Sequence, residues 1–190
     1  MKWLLNAFVL CLSTSALATT THLALNDEVN EESVTPILEG LENAPHKKDD
    51  RVVIEINSPG GEVDAGFKLV KAIERFPAKV VCIVDGEADS MASYIFVACD
   101  VRVMTKRSTL MIHQPGMGGQ GQINDLTNAS DMLRASGYAQ AEHYALHMKG
   151  ITAAEIATRT AGGREIWLDW HDAKKYGAVD IVVDRVEDLK

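Results

Sequence analysis

Between residues 51 and 84 the chain runs strand, turn, helix, stop and strand, and this alternation limits the fold more than any other feature. Arg51–Ile56 (RVVIEI) is a short β-branched run, closed by the turn-forming residues Asn57-Ser58-Pro59-Gly60-Gly61. Asp64–Phe76 carries Phe67, Val70 and Ile73 at helical spacing, and Pro77 ends it. Lys79–Val84, rich in Val, Ile and Cys, reads as a buried strand. The rhythm continues on both sides. Val29–Asn43 places Val34, Ile37, Leu38 and Leu41 on one helical face, and a small-residue helix starts near Ser90 after Gly86. Val101–Met104 and Thr109–Ile112 read as strands, and Ile123–Met148 as a long helix in which Gly137 is the weak point. Helices follow near Thr152–Arg159 and Asp169–Tyr176, and Val179–Val183 closes as a strand. Repeated β–α units with apolar strands predict an α/β domain.

At 190 residues the chain is one domain's worth, large enough to bury a core. Its net charge of −8 has acids and bases interspersed, which excludes the basic face that nucleic acid requires. The first residues read differently. Lys2 precedes the apolar run Trp3–Leu12, then Ser13-Thr14-Ser15 and Ala16-Leu17-Ala18. A basic start, a short apolar core and an A-x-A end describe a cleavable secretory signal peptide, and the run is too short to span a bilayer. The expected division is therefore 1–18 as leader and 19–190 as the mature domain, secreted or periplasmic; a retained anchor is the other reading. Leu10 stands before Cys11 where lipidation would want a small residue.

The leader's removal leaves Cys82 and Cys99. Export permits a disulfide, but each lies in an apolar element, and two separately buried thiols are expected. His143 and His147 stand four apart on a helix among polar neighbours and read as a solvated face rather than as metal ligands. His22, His46 and His171 carry no signal. Gly-x-x-x-x-Gly-Lys is absent, so the glycine turn is not a phosphate cradle. No metal and no cofactor is expected.

The chemistry lies in three fragments. Asp89-Ser90-Met91-Ala92-Ser93 puts a hydroxyl at the start of a helix, and Met111-Ile112-His113-Gln114-Pro115 puts an imidazole just after a strand. Alone, Ser90 would be a helix cap and His113 structural. Serine hydrolysis needs a nucleophile, a base, an acid to orient the base, and N–H donors for the oxyanion, which Ile56-Asn57-Ser58-Pro59-Gly60-Gly61 can help supply.

INSPGGEVDAGFKLVKAI, DSMASYIFVACD, MIHQPGMGGQGQ and WHDAKKYGAVD occur in the order seen in the Clp protease proteolytic subunit family. The resemblance covers Leu23 to Val183. It implies a ClpP/crotonase-like spiral of β–β–α units with a protruding handle helix, and a serine endopeptidase. It assigns Ser90 as nucleophile, His113 as base, and the N–H groups of Gly61 and Met91 as oxyanion donors. Gly60 allows close approach of substrate, and Gly61, Glu62 and Val63 would offer an edge to an extended peptide. Gln114 and Pro115 complete the substrate-binding set. Ser93, one turn beyond Ser90, should face elsewhere.

Two acids depart from the family pattern. Glu165 stands where the family has Asp, after a longer loop over Thr158–Gly163, and is assigned as the third triad member; Asp169 and Asp172 are the substitutes. Asp89 takes the place of a small residue beside the nucleophile: harmless as a helix cap, it would raise the pKa of His113 and repel the oxyanion if it faced the site. The resemblance further implies a homo-oligomer of rings, stacked through Gly118–Gln122 and the helix from Ile123. The substrate is expected to be short or unfolded peptide. The family's ATPase unfoldase is doubtful as a partner for an exported chain, whose mature form would start almost at the first strand. Three other readings stay open: a catalytically impaired peptide-binding relative, a signal-peptide-peptidase-like Ser/Lys hydrolase, and a crotonase-type acyl-CoA enzyme.

Overall fold

The computed structural model describes residues 18–116 and 123–189, with the backbone alone for 123–126. The expected leader up to residue 17 and the stretch Gly118–Gln122 lie outside the described residues. Among those described, no helix is long and apolar enough to cross a membrane.

The strands are β1 (Thr20–Leu25), β2 (Arg51–Ser58), β3 (Lys79–Asp89), β4 (Val101–Thr105), β5 (Thr109–Ile112), β6 (Ile166–Leu168) and β7 (Ile181–Val183). The helices are α1 (Glu31–Asn43), α2 (Val63–Arg75), α3 (Met91–Val97), α4 (Ile123–His147), α5 (Ala153–Thr160) and α6 (Trp170–Lys175). Strands β1-β2-β3-β4-β7 form a parallel sheet in that order, as β–α connections demand. Alternation along β2 divides its side chains. Val52, Ile54 and Ile56 enter the main core beneath the helices with Leu69, Ile73, Ile95 and Phe96. Val53 turns to the other face, where it packs with Ile83 and Val103. The expected α/β class holds.

Helix α1 begins where its cap dictates: the Asn30 side chain accepts from the Ser33 N–H, and Ser33 Oγ accepts from the Asn30 N–H. Strand β3 is longer than the sequence suggests, because Gly86 bends it without ending it. At φ +126 a Cβ on Gly86 would stand 2.1 Å from Asn57 Oδ1, the atom that accepts from the Glu87 N–H at 3.1 Å. Before the bend β3 pairs with β2 and β4. Beyond it, Glu87–Asp89 pairs with β5 in place of β4 while Ala88 stays in register with Ser58 of β2, so one strand serves both the main sheet and the site. The antiparallel partner of β5 is β6, three residues that no periodicity could have marked.

Two expectations are corrected. Cys82 and Cys99 are joined, with a Cα separation of 5.9 Å. The cause lies next door: Asp100 donates its N–H to Val80 O and accepts the Val80 N–H at Oδ2, which brings the end of α3 down onto β3. Replacing both cysteines by alanine is expected to cost about 3 kcal/mol, typical for a loop of this length, read as a lower denaturation midpoint. A linked Cys82–Cys99 peptide should be recovered before reduction. The second correction concerns His143 and His147, which are half-buried rather than solvated. The His143 ring stacks on Tyr94 with centroids 3.8 Å apart, and burial lowers the pKa of both imidazoles, His143 to about 4.

Candidate active site

The bent end of β3 delivers Ser90 to the turn before α3. Ser90 has φ +53 and ψ −118, and it alone among the described non-glycine residues has positive φ. Such a conformation costs about 1–3 kcal/mol and persists only where its surroundings fix it. Here they do. The Ser90 N–H donates to Met111 O at 2.8 Å, and Ser90 O accepts the Tyr94 N–H at 3.2 Å and the Tyr144 hydroxyl at 3.1 Å. The Ser90 side chain makes no capping bond, so the capping alternative fails. Its Oγ lies 2.6 Å from His113 Nε2. His113 directly follows β5, the strand that holds Ser90 through Met111, so one pairing sets both groups.

Gly60 lies against this turn. A Cβ there would stand 2.5 Å from Asp89 O, 2.7 Å from Ser90 Cβ and 2.9 Å from Met91 N. Met91 opens α3, so its amide has no intrahelical acceptor. Gly61 forms a parallel bridge with Val29 in which Val29 donates to Gly60 O and Glu62 donates to Val29 O, both at 2.7 Å. The Gly61 N–H takes no part in that pair of bonds. Val63 is the first residue of α2, and the Glu62 N–H is engaged with Val29 O. Gln114 and Pro115 are half-buried; Gln114 packs on α4 where Gly137 leaves room.

The acids are placed as follows. Glu165 is exposed, and its Oε2 accepts from Trp167 Nε1 at 2.8 Å, rather than holding His113. Asp169 caps α6 by accepting the Asp172 N–H, so both belong to that helix end. Asp89 caps nothing. It is 6% exposed, its Oδ1 finds no hydrogen-bond partner, and its pKa is raised to about 6 by burial, then by Glu87 and Glu165. The native state thus holds this proton more tightly than the unfolded chain, and stability falls as pH rises from 3.8 towards 6. Asp89→Asn is expected to raise the melting temperature near neutral pH, and the gain should vanish on acidification through that window.

No motif or spacing marked Tyr144. Fully buried, it lies 2.7 Å from Ser93 Oγ, which is also 2.7 Å from both Ser90 O and Met111 O. Burial pushes the Tyr144 phenol above its usual range, so it stays a neutral donor. Ser93 faces this network, away from His113, as expected.

The chain as a whole has counterparts among known proteins. The family described as Clp protease matches residues 9–186. The ATP-dependent Clp protease proteolytic subunit 1 of Chlamydia pneumoniae is 33% identical over 143 residues, covering 73% of each chain. That of Chlamydia trachomatis serovar D is 31% identical over 144 residues, covering 73% of this chain and 72% of the relative. In structure, a ClpP1 point mutant from Listeria monocytogenes matches with a TM-score of 0.77 at 23% identity, covering 89% of this chain and 94% of that one. Its likeness bears out the ClpP/crotonase-like fold. The chain belongs to the Clp protease family.

Proposed function

We propose that this chain is a serine endopeptidase in which Ser90 Oγ attacks the scissile carbonyl. His113 Nε2 takes the hydroxyl proton and returns it to the leaving amine. The observation that carries this reading is the 2.6 Å bond between Oγ and Nε2 at a serine held with positive φ. The Met91 and Gly61 N–H groups would receive the oxyanion, at the N-terminus of α3 and beside a glycine pair that admits the substrate backbone. A peptide laid along Gly61 would present its carbonyl to Ser90.

The third member in this proposal is Glu165. Its support is register: β5 and β6 pair Ile112 with Ile166, and one further step sets His113 opposite Glu165. Residues directly opposite in an antiparallel pair have Cβ atoms about 4.5–5.5 Å apart, within reach of a carboxylate. Trp167, two residues on along the same strand face, competes for it. Trp167→Phe is therefore expected to raise kcat about fivefold, the worth of one net hydrogen bond of ~1 kcal/mol. An unchanged or lower kcat would remove Glu165 from the triad.

The substrates we propose are short or already unfolded polypeptides, cleaved outside the cytoplasm and without an ATPase. The leader-like residues 1–18 and the Cys82–Cys99 bond, at home in an oxidising compartment, support this. Self-association is proposed through α4, where Met132, Tyr138 and Leu146 are 56%, 59% and 74% exposed. A peptide-binding protein with impaired catalysis is the second reading, favoured by the Glu165–Trp167 bond. Fluorophosphonate labelling of the assembled protein separates the two. Labelling at Ser90 that Ser90→Ala and His113→Ala abolish supports the peptidase; no labelling supports the binder.

A further inference from the structure

Beyond the active site, α2 and α4 bring together a second group of side chains. His143 and His147, one turn apart on α4, meet Glu74 of α2, and each residue offers a ligand atom within 4.8 Å of the others. We infer that Glu74, His143 and His147 form a binding site for a divalent transition-metal ion of the zinc class, with a fourth coordination position open to solvent. Two histidines and one glutamate are a donor set that zinc takes in three-ligand sites.

Three observations point to a ligand rather than to a chance polar cluster. The His147 Nε2 is buried and has no hydrogen-bond partner, an arrangement that ordinary packing avoids. His143 is prepared on its outer side: with Nε2 donating to Tyr94 O at 3.1 Å, Nδ1 is left with the free lone pair. The Tyr94 stack holds that ring, while the His143 and His147 centroids are 4.6 Å apart. Glu74 is exposed and free to swing in. Zinc–ligand bonds of about 2.0–2.1 Å place tetrahedral ligand atoms roughly 3.3–3.5 Å apart, so closure requires only about 1 Å of movement. The nearby cation, Arg102, donates to His147 O and is itself paired to both Asp180 oxygens, so its charge is offset.

A metal here would tie α4 to α2. Tyr144, between the two histidines, supports the Ser90 carbonyl, so occupancy of the site would stiffen the nucleophile's surroundings.

The test is Co²⁺ titration of chelator-stripped, tag-free protein followed by its visible absorption, with Zn²⁺ as competitor. One equivalent should bind with a tetrahedral-type band that Zn²⁺ erases. Glu74→Gln and His147→Gln should each weaken binding at least about tenfold, while His22→Gln on exposed β1 should not. Glu74→Gln lies at the surface, so its folding is not in question. Binding below one equivalent at micromolar metal, or equal affinity in Glu74→Gln and the wild type, overturns the site.

Discussion

Ser90→Ala and His113→Ala are each expected to lower kcat for a short peptide by roughly ten-thousandfold to a millionfold, and the double variant by no more than either alone. The non-additivity follows from the 2.6 Å bond, because an alkoxide cannot form without the base and the base has nothing to deprotonate without the hydroxyl. KM should change little, since the proposed peptide edge is backbone at Gly61. Independent, additive losses would mean that Ser90 and His113 do not act as a pair. Activity that survives His113→Ala would revive a lysine base and the Ser/Lys reading.

Gly60→Ala is expected to reduce kcat at least about a hundredfold, although it replaces no side chain of the proposed machinery. The added methyl meets Asp89 O at 2.5 Å and Met91 N at 2.9 Å, both backbone atoms that cannot rotate away, and φ is +90. Either the turn carrying Ser90 shifts or the glycine segment does, and both displace an oxyanion donor. The check is the rate of fluorophosphonate acylation, with circular dichroism to show that the fold persists. Wild-type acylation in a folded Gly60→Ala protein would separate this turn from catalysis.

Much of the fold was legible because its elements are long enough for periodicity. The apolar stripe of α2 and the β-branched run of β2 lie within two residues of their expected bounds. The rest depends on geometry between distant segments. A glycine reads as a strand's end in sequence, yet Gly86 is a bend that lets β3 change partners, and only Asn57 packed against it shows the difference. Cys82 and Cys99 looked separate because their meeting depends on the Asp100–Val80 bonds, which no spacing encodes. Motifs singled out Ser90 and His113, and the fold brings Oγ and Nε2 within 2.6 Å of each other. Glu165 was singled out with them, but its bond to Trp167 was not legible, because β6 is too short a strand to mark. His143 and His147 read as a solvated pair in sequence because Tyr94, which stacks on His143, comes from another helix.

The Cys82–Cys99 bond encloses residues 83–98, and Ser90 lies within that ring. In a ring, a single cut adds a water but frees no fragment. Both halves of the turn that carries Ser90 would stay tethered through the Cys82–Cys99 bond. A cut anywhere between 83 and 98 would therefore release a fragment only once the Cys82–Cys99 bond had been reduced.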